Sequence, residues 1–97
     1  MSLNDEVQRG QWATQILENS LWQEAIAHID ASLLEKMREH HSDPRACQEI
    51  ALTKKVADLI FAFFADVRDT GKLAQIQLNT EREAEERKTR LRAIPGA

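Results

Sequence analysis

Tyrosine is absent from this chain, and cysteine, proline and glycine are almost as scarce. With one cysteine, Cys47, an internal disulfide is excluded, and a reducing compartment fits. Two prolines and three glycines supply few turns for 97 residues, and little in the composition favours strands. The chain also lacks an apolar run long enough to cross a bilayer. Its longest, Val56–Val67, is twelve residues broken by Asp58 and Asp66, against roughly 18–20 for a span. No basic segment followed by a long apolar run opens the sequence, so no secretion signal is expected. These absences predict one small soluble domain in the cytoplasm.

Excess charge of one sign is also missing. The formal net charge is −3, which disfavours nucleic-acid binding by bulk electrostatics. The distribution is nevertheless uneven: residues 1–42 carry three Lys/Arg against seven Asp/Glu, and residues 72–97 carry six against four. Ordinary surface variation explains such a pattern. A second explanation is an acidic front of one copy meeting the basic tail of another.

What is present is helical periodicity. Ser2 and Asn4 are candidate caps for a first helix, with Asp5 and Glu6 suited to its positive end. Val7, Trp12, Ile16 and Leu17 are its expected contacts, and Gly10 is a weak point. Asn19-Ser20 marks a break, and Ser20 with Gln23 matches a capping box for a second helix. Trp22, Ile26, Ile29, Leu33 and Met37 recur at steps of four and three, widened by Ala25 and Leu34, and make one amphipathic face. After His40-His41-Ser42, Asp43-Pro44 signals a third helix, expected to stop at Gly71.

This third helix carries two apolar stripes. Ile50, Ala57, Ile60, Phe64 and Val67 form one; Leu52, Val56, Leu59 and Phe63 form the other, turned by about 160–200° at ~100° per residue. Phe61 lies between them. One neighbouring helix covers one stripe, so the other needs the first helix or another copy. Beyond Leu73, Ile76 and Leu78 the segment 81–92 is almost wholly charged, with Glu83–Arg87 and Glu86–Arg90 at favourable i,i+4 spacing, before Pro95-Gly96. It is expected as a solvated charged helix or a flexible tail.

No constellation carries chemistry. His40 and His41 are adjacent and point about 100° apart on a helix, His28 is distant, and Cys47 has no partner cysteine, so no metal site is expected. Thr70-Gly71-Lys72 lacks the upstream glycine and strand of a phosphate-binding loop. Asp58 and Asp66 lie ~12 Å apart along a helix, too far for a carboxylate pair. Glu35 and Glu39 belong to the surface. No nucleophile–base pair is visible, and neither enzyme activity nor a cofactor is expected. The cluster Arg87, Lys88, Arg90 and Arg92 is interleaved with glutamates and has no aromatic for base stacking. The third helix is too apolar and acidic to serve as a recognition helix. The apolar stretch lacks the basic polar face of a membrane-surface anchor.

Three segments, Arg9-Gly10 with Ile16-Leu17-Glu18-Asn19, Leu21-Trp22-Gln23-Glu24-Ala25, and Asp69-Thr70-Gly71-Lys72-Leu73-Ala74, occur in an order that resembles short helical proteins encoded among the head-assembly and packaging genes of tailed bacteriophages. The resemblance covers about residues 9–78. Its motifs are structural, without a catalytic signature, and they imply a component of a virion or of virion assembly.

The expected architecture is all-α: an antiparallel hairpin of about 20–41 and 43–70, an N-terminal helix and a charged C-terminal helix, in an oligomer. Residues 1–78 are the expected helical domain and 79–97 the charged tail. The expected partner is protein, either self or a larger phage or host protein, with neither nucleic acid nor membrane. Trp22, Leu59, Phe61, Phe63 and Phe64 are the expected interface, and Arg87, Arg90 and Arg92 the tail contacts. The expected location is the host cytoplasm or the virion. A small regulatory or inhibitory protein, and a small terminase-like DNA-packaging adaptor, are the alternatives.

Overall fold

The computed structural model describes residues 1–93, with side chains to residue 92. Pro95-Gly96, the expected end of the charged segment, lies outside the described residues. The fold is all-α: α1 (Leu3–Glu18), α2 (Ser20–Glu39) and α3 (Pro44–Ala93), with no strand among the described residues. The molecule is elongated, 82 × 25 × 19 Å, because α3 is a 50-residue rod and α1 and α2 are too short to cover it.

Local chemistry accounts for each helix start. The Ser2 hydroxyl accepts from the Asp5 amide at 3.1 Å, and Asp5 and Glu6 lie in the positive first turn of α1. Asn19 separates α1 from α2. Its extended backbone (φ −64°, ψ 126°) ends one helix, and its side chain accepts from the Trp22 amide at 3.0 Å to begin the next. The cap is therefore Asn19, one residue before the expected Ser20. Gln23 does not reach back as a capping-box partner; its side-chain amide donates to the Leu17 carbonyl across the break. Asp43 caps α3 as expected, accepting from the Arg45 and Ala46 amides at 3.1 and 3.3 Å.

Gly71 does not stop α3, which continues without interruption to Ala93. The glycine serves a different purpose. Gly71 and Gly10 are both buried where α1 crosses α3. A methyl group at Gly71 would lie 2.6 Å from the Gly10 Cα, and one at Gly10 would lie 2.7 Å from the Gly71 Cα. Two helix backbones approach this closely only where both lack a side chain. Ala13 and Ala74 are buried as well, so small residues line the crossing. The close approach also selects which face of α1 packs. Gly10, Ala13 and Leu17 turn inward and Val7 is half-buried, whereas Trp12 and Ile16, expected as contacts, face solvent.

α2 meets α3 in reverse sequence order. Trp22 packs edge-to-face on Phe64 (centroids 5.3 Å apart), Asp30 accepts from Lys54 at 2.7 Å, and the Cys47 thiol donates to the His40 carbonyl at 3.3 Å. Trp22, Ile26, Leu33 and Met37 of the expected α2 stripe are half-buried, and Ile29 is exposed. No α2 residue is fully buried. Ala13, Leu17, Ile50 and Ala74 are the only buried apolar side chains larger than glycine among the described residues. That is a meagre core.

Candidate protein-contact surface

The two stripes of α3 meet different environments. On the first, Ile50 is buried and Ala57, Phe64 and Val67 are half-buried beneath α2 and α1; Ile60, expected with them, remains half exposed. On the second, Leu52, Val56, Leu59 and Phe63 keep 57, 56, 62 and 56% of their surface exposed. Their steps of four, three and four residues are the a/d spacing of a helix that packs on another helix. The described chain leaves more than half of each of these side chains open and borders the stripe only at Phe63, which shares a recess with Met1, Glu6 and Arg9.

The expected interface residues consequently divide. Leu59 and Phe63 lie on the open stripe. Phe64 and Trp22 pack against each other under α2, and Phe63 also meets Phe64 edge-to-face, 5.4 Å between centroids. Phe61 lies toward α2, in a shallow recess with Ile26, Ile29 and Ala57, and is still 45% exposed. Arg87, Arg90 and Arg92 lie on the exposed end of α3. Arg90 pairs with Glu86 at 3.9 Å as the spacing predicts, but the Glu83–Arg87 pair is not formed.

Charge borders the stripe asymmetrically. Lys54 points away from it and is held by Asp30 at 2.7 Å and Asp58 at 3.1 Å. Those hydrogen bonds, Asp30 first and then Asp58, raise the Lys54 pKa above its ordinary value of 10.5. Lys55 and Asp66 behave differently: among the described residues neither forms an ion pair. Both lie within about 60° of the Leu52 direction, on the same edge of the stripe, at ~100° per residue. α1 borders the stripe at its Phe63 end, where Met1, Glu6 and Arg9 share a recess with Phe63, Asp66, Val67 and Thr70.

A second apolar surface lies at the α1–α2 junction, where Trp12, Ile16, Leu21, Trp22 and Ala25 line an open groove. The Trp22 indole N–H is buried there without a hydrogen-bond partner. Trp12 and Leu21 had no place among the expected interface residues. Their exposure follows from which α1 face the Gly10–Gly71 crossing turns inward, and a periodicity argument does not contain that choice.

The motifs weighed for chemistry are dispersed. Thr70-Gly71-Lys72 is helix interior, neither a loop nor a helix stop. Among the described residues no three His, Cys, Asp or Glu side chains are placed to hold a metal ion, and no described helix is long and apolar enough to cross a membrane. No protein-family model, curated protein or solved structure matches this chain.

Proposed function

We propose that this chain is a non-enzymatic helical assembly protein that works by protein–protein contact, with the open stripe Leu52–Val56–Leu59–Phe63 as its principal contact surface. One observation carries this reading. Four large apolar residues lie on one line of a rigid helix, more than half exposed, in a protein with only four buried apolar side chains larger than glycine among its described residues. Monomeric proteins seldom leave a contiguous apolar strip in water, and burying each such side chain is worth roughly 1.5–3 kcal/mol. The antiparallel pairing of α2 with α3, supported by Trp22–Phe64 and Asp30–Lys54, stiffens the half of α3 that bears the strip. The resemblance over residues 9–78 extends the reading to a component of a tailed-phage virion or of its assembly, in the host cytoplasm.

Replacing Phe63 by Asp tests the contact surface. The variant should keep the helical circular-dichroism signal of the parent and run as a smaller species in light scattering. An unchanged mass would remove the stripe from the interface.

The α1–α2 groove favours a second reading, a small regulatory protein that holds one different protein. Its mark is a parent chain that stays monomeric at high micromolar concentration and forms a one-to-one complex.

A further inference from the structure

α1 and α2 are held to α3 in different ways. α1 buries Gly10, Ala13 and Leu17, α3 buries Gly71 and Ala74, and the two backbones touch at the glycines. α2 buries no residue completely. Its apolar face is only half covered, Ile29 is 39% exposed, and at Ile26, Ile29, Ala57 and Phe61 the helices leave a recess instead of interdigitating. Three ties fasten α2: the Trp22–Phe64 pair, the exposed ion pair Asp30–Lys54, and the Cys47 thiol on the His40 carbonyl. The first carries its own penalty, because docking Trp22 buries its indole N–H without an acceptor. Both ends of α2 are tethered, by Asn19 to α1 and by residues 40–43 to α3, which leaves little freedom to swing clear as a rigid rod. Most of a helix's stability in a protein comes from tertiary packing, so leaving α3 and unfolding go together for this 20-residue segment.

We infer that α2 is a strap that opens by local unfolding while α1 and α3 stay packed, so that its two states present different surfaces. Closed, α2 supplies Leu21, Trp22 and Ala25 to the groove it shares with Trp12 and Ile16, and it lies over the Ile50–Phe64 stripe of α3. Open, the groove loses its α2 wall. Ile50, Ala57 and Phe64 then join Leu52, Val56, Leu59 and Phe63 through Ile60, which lies between the two stripes at ~100° per residue. The groove therefore needs α2 in place, and the broad α3 face needs it gone. One element sets which surface exists. The use of these surfaces for protein contact rests on the reading above; the opening of α2 does not.

Hydrogen exchange of the full chain, followed by mass spectrometry at low micromolar concentration, tests the strap. After correction for intrinsic rates, amides within residues 21–38 should exchange at least about tenfold faster than those within 10–17 and 64–78. Protection of α2 equal to or above that of α1 overturns the strap, because the two helices then leave α3 together or not at all. Trp22→Ala supplies the second arm. Loss of the aromatic tie should speed exchange within 21–38 by a further factor of about ten and leave 10–17 within about twofold of the parent. Equal acceleration of both segments would show one cooperative unit and contradict the strap, as would no acceleration in α2. Association is read separately, by sedimentation. A failed strap leaves the contact surface standing, and a parent that stays monomeric leaves the strap standing.

Discussion

A methyl group at Gly71 would meet the Glu6 carbonyl oxygen at 2.9 Å as well as the Gly10 Cα. Both are backbone atoms, so α1 as a whole would have to move. Replacing a helical glycine by alanine ordinarily favours the helix by about 1 kcal/mol. Here overpacking at the crossing opposes that gain by about 1–3 kcal/mol. Gly71→Ala should therefore lower the thermal midpoint, by roughly 4–8 °C per net kcal/mol in a domain of this size. A raised midpoint would show that the helices do not cross there. Asn19→Ala should cost about 1 kcal/mol through loss of the α2 cap. At Lys54 the folded-state pKa is raised, so its stabilising contribution is complete below the ordinary value of 10.5 and disappears as pH rises through the higher folded value. The midpoint difference between the parent and Lys54→Gln should be flat from about pH 6 to 9 and shrink only in strong alkali. Both glycines are visible in the sequence, where local propensity marks Gly10 as a weak point and Gly71 as a stop. A glycine's propensity is a local property, whereas a partner backbone that leaves no room for a methyl group is a tertiary one.

At the scale of the element, α3 departs most from the pattern read in the chain. Periodicity and capping place its start at Asp43-Pro44, and its apolar register separates the two stripes correctly for every residue except Ile60. Its end lies beyond the expected Gly71, which resembles a C-terminal stop in the sequence and becomes a helix-interior residue where α1 crosses it. The charged segment from residue 81 continues the same helix with all of its described side chains exposed, including the arginines expected to contact a partner. Its support is local: Arg90–Glu86, and threonine hydroxyls such as that of Thr89 donating to the Glu85 carbonyl at 3.0 Å. A chain shortened after Thr80 should accordingly lose helical ellipticity in proportion to the residues removed. Its thermal midpoint should stay within about 4 °C of the parent, because surface changes away from packing rarely exceed ±0.5 kcal/mol. A large fall in the midpoint would place the tail against the folded part.

For the whole molecule, the balance of covered and uncovered apolar surface decides the account. Two short helices hold one side of a long one through a small-residue crossing and a sparse layer around Ile50, Phe64 and Leu17. The surplus face was legible in the sequence, because Leu52, Val56, Leu59 and Phe63 fall about half a turn from the residues that α2 and α1 cover. The second surface, around Trp12 and Leu21, was not legible, since it depends on the rotation of α1 set by Gly10 and Gly71. The proposed role of the α3 stripe is contact between protein chains. Sedimentation velocity of the parent chain, from low to several hundred micromolar, tests it most directly. The mass of the parent should rise with concentration from one chain toward two, and the Phe63→Asp variant should stay at one chain throughout. A parent that sediments as a single chain across the whole range, or a Phe63→Asp variant that associates as the parent does, would contradict it.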